Sequence, residues 1–234
     1  MKLGIMQPYL FPYIGYFHLM NAVDEFVVYD NIQYSKKGWI NRNRILVNGE
    51  EAYITFPIKK DSDYLDIKQR SFSETILADK KKRLNRITES YRKAPYFNDA
   101  FSLIEKAILL EDGNLFTFIF NSLILLKEFL DIKTSLIISS SLNIDHSLKA
   151  EDKVIAICKS RNASEYINPI GGIELYKKDN FKKHGIKLQF IKTEEVCYPQ
   201  YKNKFVPFLS IIDVMMFNSK AEIQKILNHS YSLQ

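Results

Sequence analysis

The first apolar run of the chain, "KLGIM", is stopped by two prolines in the stretch "MQPYLFPYIGYFHLM". Neither Pro8 nor Pro12 can donate a backbone hydrogen bond, so a strand started at Lys2 must end at about Met6. Pro12 suits the first turn of a helix. From Ile14 onward Phe17, Leu19, Met20 and Val23 fall mostly on one helical face. Asp24 ends that pattern, and "EFVVYD" reads as a second strand. Strand, stiff aromatic turn, helix and strand inside the first 30 residues make a βαβ unit, which commits the chain to a parallel sheet.

The remainder agrees with an α/β class. "NIQYSKKGWINRNR" is polar and basic and reads as a loop. "ILVNGEEAYITFP" carries Asn48-Gly49 between alternating apolar runs, a hairpin signal. Helices are expected over Thr75 to Tyr91, Asp99 to Leu110 and Asn114 to Leu130. Then come a strand at "TSLIISS", a helix from Lys149 to Ser160 and a strand at "EYIN" ending in a "PIGG" turn. A short helix closed by Gly185, a last strand at "IKLQFIK" and two closing helices complete the reading. The expectation is a Rossmann-like, mostly parallel sheet in a single α/β domain over 1–234, with a β-hairpin and a helical insert at about 75–130. That insert is open to two uses, covering a pocket or forming a homodimer face.

Composition limits function. Of 234 residues, 46% are hydrophobic and no window approaches a membrane span. The most apolar segment, "NLFTFIFNSLILLKEFL", is broken by Asn121, Ser122, Lys127 and Glu128. The early prolines and the lack of a small-residue cleavage site argue against a signal peptide, and the expected location is cytoplasmic. The net charge of +6 favours acidic partners such as phosphates. Acidic and basic residues are interleaved, so sequence-specific nucleic-acid binding is not expected. Cys158 and Cys197 lack metal spacing, and no metal site or tightly bound cofactor is expected.

Ligands of open α/β sheets bind beyond the carboxyl ends of the strands, where helix N-termini favour phosphate. Gln7, Tyr9, Tyr13 and Tyr16 stand where donors would be useful, and Gly15 permits close approach. After the second strand, Gln33, Lys37, Trp39, Asn41 and Arg42 offer cations, amides and a stacking ring for a diphosphate and a base or sugar. Asn168, Gly171 and Gly172 form a turn that exposes backbone N–H groups. His18, Asp30 and Tyr13 are the candidate catalytic groups, His18 or Asp30 as a base. Plain structural roles are open for each: packed tyrosines, a capped helix histidine, an aspartate capping the next turn. Ser210 and Asp213 are spaced as a helix cap.

Three ordered blocks carry a family resemblance: "MQPYLFPYIGYFHLMNAVDEFVVYDNIQYSKKGWINRNRI", "AICKSRNASEYINPIGGIELY" and "YPQYKNKFVPFLSIIDVMMFN". Together they resemble the WbqC-like family over nearly the whole chain. The resemblance implies a role in bacterial O-antigen or other surface-polysaccharide assembly, as transfer of an acyl or aminoacyl group, glycyl in particular, to a nucleotide-linked aminosugar. The donor stays open among acyl-CoA, an aminoacyl adenylate and an aminoacyl-tRNA. A fainter likeness links "PYIGYFHLMNA" to the His-x-Gly-His segment of nucleotidylyltransferases, with Gly15 on the motif glycine. Tyr13 and Tyr16 replace its two histidines, which puts nucleotidyl transfer in doubt. A degenerate nucleotidyltransferase and a non-catalytic nucleotide-sugar binder are the alternatives.

Overall fold

The computed structural model describes residues 1–202 and 204–234. Its strands and helices are β1 (Lys2–Met6), α1 (Ile14–Asn21), β2 (Glu25–Val28), β3 (Arg42–Val47) and β4 (Glu50–Thr55). Next come α2 (Ile76–Tyr91), α3 (Phe97–Ile108), α4 (Leu115–Phe129), β5 (Ser135–Ile138) and α5 (Ala150–Ser160). The chain ends with β6 (Glu165–Pro169), α6 (Lys178–Lys183), β7 (Lys187–Thr193), α7 (Ile211–Phe217), α8 (Lys220–His229) and β8 (Tyr231–Leu233).

Six of the described strands form one sheet in the order β5-β2-β1-β6-β7-β8, and β3 and β4 form a separate hairpin. All pairings in the large sheet are parallel except β7 with β8. Taken in chain order, the five parallel strands lie third, second, first, fourth, fifth. That is the doubly wound order, and its direction of winding reverses between β1 and β6.

The strands read as near-continuous apolar runs because both sheet faces are covered. Leu3, Ile5, Val27, Tyr166, Leu188 and Phe190 pack with Val154, Ile157, Cys158 and Phe181 of α5 and α6. Burial there pushes the Cys158 thiol up to about 12. The opposite face sets Phe26, Val28, Ile167 and Ile191 against α1, α7 and α8 in a second cluster that continues into α2, α3 and α4.

The hairpin begins earlier than the pattern suggested. Arg42 to Arg44 belong to β3, not to the preceding loop. Asn43 and Ile45 are buried while Arg42 and Arg44 lie on the outer face, so the period-two pattern is present but written in polar residues. The Asn48-Gly49 turn is as expected: both residues have positive φ, 53° and 84°, as the favoured two-residue hairpin turn requires. "IKLQFIK" is followed by a further strand, β8, which pairs antiparallel with β7 at the sheet edge.

Ser210 caps α7, accepting from the Ile212 N–H at 3.2 Å. Asp213 does something else. Its carboxylate is fully buried and accepts from Tyr91 Oη at 2.9 Å, Tyr198 Oη at 2.7 Å and Gln200 Nε2 at 2.7 Å. Burial raises its pKa, while the three donors pull it back. Tyr91 Oη in turn accepts from the Leu46 N–H at 2.7 Å. One carboxylate thus ties α7 to α2, to the hairpin and to the segment before α7. Asp213→Ala strands three buried donors and is expected to cost about 3 kcal/mol or more in urea unfolding. Tyr198→Phe removes one of them and is expected to cost about 1 kcal/mol. Equal losses in the two variants would contradict the shared-acceptor arrangement.

Candidate functional site

The winding reversal leaves a crevice beyond the carboxyl ends of β1 and β6. It is a cleft of about 460 Å³. Met6, Gln7 and Tyr9 line it from β1 and the loop after it, and Tyr166, Asn168, Gly171 and Gly172 from β6 and the turn after it. Tyr29 and Ile32 come from the end of β2, and Ala150 and Val154 from α5.

The β6 side is built from a strand alternation. Tyr166 and Asn168 are two residues apart and point the same way. The Tyr166 hydroxyl donates to Asn168 Oδ1 at 3.0 Å, and Asn168 Nδ2 donates to the Pro169 carbonyl at 3.2 Å. The chain then turns through a 3₁₀ segment, Ile170–Leu175. A Cβ on Gly172 would sit 2.1 Å from Asn168 Nδ2, whereas one on Gly171 would meet nothing within 4 Å. Gly172 is therefore the residue that lets Asn168 turn back on the loop.

The cleft carries no lysine or arginine among its lining residues. What it offers an anion is backbone. The helix before β6 runs antiparallel to the strands, so the N-terminus of α5 opens here. Its N-cap, Lys149, makes no side-chain cap bond, which leaves first-turn N–H groups unpartnered by a cap. Glu151, in that turn, is already engaged with the Lys177 N–H at 2.8 Å and with Asn180 Nδ2. Burial raises the phenol pKa of Tyr9, Tyr29 and Tyr176, so all three stay neutral donors at physiological pH.

The β1 side is held by the loop 7–13. Asn43 Nδ2 donates to the Leu10 and Phe11 carbonyls, both at 2.9 Å, and Ser210 Oγ donates to Phe11 at 2.7 Å. The Ile211 N–H reaches the Pro12 carbonyl at 2.8 Å, and the Leu10 N–H reaches the Trp39 carbonyl at 3.0 Å. Phe11 itself has φ of 41° and is fully buried.

The sequence candidates do not share one hollow. Gln7, Tyr9, Asn168, Gly171 and Gly172 share the switch-point cleft. Tyr13 and Trp39 line a second cleft of about 290 Å³ together with Tyr9, Asn43, Arg44 and Phe208. Gln33 and Lys37 rim a third, broadly open hollow with Tyr34, Ser35, Lys36 and Asp63.

The remaining candidates line none of these three clefts. Gly15 is packed: an added Cβ would lie 2.4 Å from the Tyr13 ring and 2.5 Å from Thr193 Oγ1. Tyr16 is in the core and donates to the Gln7 carbonyl at 3.1 Å. Asn41 is buried, accepting from Tyr34 Oη at 2.8 Å and donating to the Phe56 carbonyl at 2.9 Å. Arg42 closes its own loop through the Gly38 and Lys37 carbonyls at 3.2 and 2.8 Å. Asp30 is buried and accepts from the Ser140 N–H at 2.8 Å and Ser140 Oγ at 2.6 Å. His18 is fully buried, with Nε2 3.0 Å from the Ile226 carbonyl and Nδ1 3.3 Å from Thr193 Oγ1. Neither His18 nor Asp30 lines any of these clefts.

Tyr29, Tyr166, Tyr176, Ala150 and Val154 were not among the sequence candidates. Tyr166 was within reach, standing two residues before Asn168 in the same strand. The α5 positions required the strand order, because only that order places a helix start after β5 beside the end of β1.

Among the described residues no group of three or more His, Cys, Asp or Glu side chains is placed to hold a metal ion, and no helix is long and apolar enough to cross a membrane. Fold and cleft together define a doubly wound α/β protein with a crevice at its topological switch point. The model of the WbqC-like protein family matches residues 7–225, and the chain belongs to that family. It is 27% identical over 232 residues to the uncharacterized protein Rv1507c of Mycobacterium tuberculosis (strain ATCC 25618 / H37Rv), an overlap covering 97% of this chain and 98% of that protein. No solved structure matches the chain.

Two outcomes test this geometry. Gly172→Ala is expected to displace the Asn168 amide and lower thermal stability, while Gly171→Ala leaves the fold and Asn168 undisturbed. Thermal unfolding and the Asn168 side-chain NMR signals distinguish them. The second concerns His18, whose pKa burial lowers from 6.5 to about 4. The unfolded chain takes up this proton below about 6.5, and the folded chain resists until about 4. The stability it contributes is therefore full above the unfolded pKa and falls as pH drops toward the folded one. Between pH 7 and about 4.5, wild type is expected to lose about 2–3 kcal/mol more than His18→Gln in urea unfolding. Identical pH slopes would show His18 is not buried neutral.

Proposed function

We propose that this protein is an enzyme of bacterial surface-polysaccharide assembly, acylating the amine of a nucleotide-linked aminosugar held in the switch-point cleft. The observation that carries the reading is the cleft itself. It lies where doubly wound sheets hold nucleotides, and its anion-binding capacity comes from the first turn of α5 and the Gly171-Gly172 turn. The chemistry is what the resemblance to the WbqC-like family, of which the chain is a member, implies.

In this reading the diphosphate rests against the α5 N-terminus, and Gln7, Tyr29 and Asn168 orient the sugar by neutral hydrogen bonds. The sugar amine attacks the carbonyl carbon of an activated acyl or aminoacyl donor, glycyl in particular. A C–N bond forms, and the C–O or C–S bond to the carrier breaks. The carrier leaves with that electron pair, and the amine proton passes to solvent or to the leaving group. Donors aimed at the developing oxyanion would come from the Gly171-Gly172 backbone.

A second reading has its own support. Both expected bases are occupied elsewhere: Asp30 by Ser140, and His18 by Ile226 and Thr193. A cleft lined by neutral groups suits a protein that binds a nucleotide-sugar without turning it over.

Calorimetry with a panel of UDP- and dTDP-linked aminosugars tests binding, and mass spectrometry after incubation with acyl-CoA, aminoacyl adenylate or aminoacyl-tRNA tests transfer. One acyl residue gained on the sugar amine is expected, and Gln7→Ala is expected to weaken binding about tenfold. Binding without mass gain from any donor selects the non-catalytic reading. Magnesium-dependent pyrophosphate release would instead indicate nucleotidyl transfer, and no binding at all would overturn both readings of the cleft.

A further inference from the structure

Across Tyr9 from the switch-point cleft lies the second cleft, and four of its lining residues, Tyr9, Tyr13, Trp39 and Phe208, are aromatic. We propose that this cleft is the donor subsite and takes the adenine ring of the activated acyl donor. The proposal rests on reading the switch-point cleft as the acceptor site.

The wall formed by Trp39 is pre-built. The Arg44 guanidinium lies 5.2 Å from the centre of the indole ring. The indole also runs nearly parallel to the Tyr53 ring, at 6.2 Å and 17°. Arg42 covers Tyr53 at 5.1 Å. Arginine and aromatic groups thus alternate on the outer face of the hairpin, where Arg44 and Tyr53 are cross-strand partners. The Trp39 carbonyl is bonded to Leu10 of the β1 loop. A ring held this way loses little freedom when a second ring stacks on it.

The Phe208 ring is 64% exposed, on a backbone with φ of 56°, and Arg44 donates to its carbonyl at 3.3 Å. Core packing does not explain a large apolar ring held outward on a left-handed residue; a stacking role does.

Of the two non-aromatic residues lining this cleft, Asn43 has its amide bonded and Arg44 keeps a buried Nε without a partner among the described residues. The Asn43 amide is bonded to Leu10, Phe11 and Arg44, and Arg44 pairs with Glu51. With four aromatic side chains in the lining, recognition here is chiefly by stacking, which suits the π-face of a nucleobase. The base follows from donor chemistry. Acyl adenylates, acyl thioesters of coenzyme A and aminoacyl-tRNA all carry an adenosine. Tyr9 is the common wall, so the two clefts adjoin, as donor and acceptor subsites of one transfer must.

Trp39 is the chain's one tryptophan, so emission excited to the red of tyrosine absorption reads this cleft alone. AMP is titrated into the intact protein, with coenzyme A and a short RNA hairpin ending in CCA as parallel arms. AMP is expected to quench Trp39 saturably, and the tightest of the three arms names the donor source. The AMP titration is repeated with saturating nucleotide-linked aminosugar, chosen by calorimetry, and is expected to be unchanged. Phe208→Ala, outside the core, is expected to weaken AMP about tenfold while the aminosugar binds within about twofold of wild type. Three results would each overturn the proposal: no response to any adenosine probe, competitive displacement of AMP by the aminosugar, or unaltered AMP affinity in Phe208→Ala. If no aminosugar binds, the acceptor reading fails on its own, and the AMP titration and Phe208→Ala still decide the adenine site.

Discussion

The carbonyl groups of Leu10, Phe11 and Pro12 are the fixed points of this molecule. Each accepts a hydrogen bond from residues far along the chain: Asn43 of the hairpin, and Ser210 and Ile211 at the start of α7. The left-handed backbone at Phe11 carries a strain of order 1–3 kcal/mol, which such a set of bonds can offset. The prolines on either side narrow the conformations the loop must give up on folding. Tyr9 is the residue that profits, since it stands between two clefts on a segment that cannot shift without breaking contacts to the hairpin and to α7.

That constraint explains why the hairpin and the closing helices matter to a site made mostly by the parallel sheet. Asn43 faces inward from β3 to hold the loop, while Arg42 and Arg44 on the opposite face are layered with Tyr53 and Trp39. Asp213 then anchors the same α7 whose first turn holds Pro12, and does so through Tyr91 of α2 and Tyr198. The helical insert contributes to the cleft region at one remove, by fixing the helix that fixes the loop.

Much of the architecture was legible in the sequence because it rests on local chemistry. Pro8 and Pro12 ended β1, Asn48-Gly49 turned the hairpin, and Gly185 with φ of 73° closed α6. Elements whose signals depend on tertiary context were missed. The start of β3 was hidden because its inward residue is Asn43 rather than an aliphatic one, and β8 is too short to show a period. His18 illustrates the limit for site residues. Seven of the eight residues of α1 are buried, so the helix has no polar face and its histidine is enclosed with the rest. Proximity to the pocket in sequence did not become proximity in space. Gln7, Asn168 and Gly172 line one cleft because strand ends in a doubly wound sheet converge whatever the loops contain. The contacts of the basic residue near Trp39 were not legible for the converse reason: Arg42 is turned back on its own loop and over the Tyr53 ring, an arrangement that side-chain type does not announce.

The proposed function requires that a phosphorylated sugar be gripped at the switch point. A crystal structure of the protein soaked with a nucleotide-linked aminosugar tests this most directly. Phosphate oxygens within hydrogen-bonding distance of the first-turn N–H groups of α5, with the sugar against Gln7 and Asn168, is the predicted result. Phosphate density beside Lys36 and Lys37 instead, with the β1–β6 crevice empty, would contradict it.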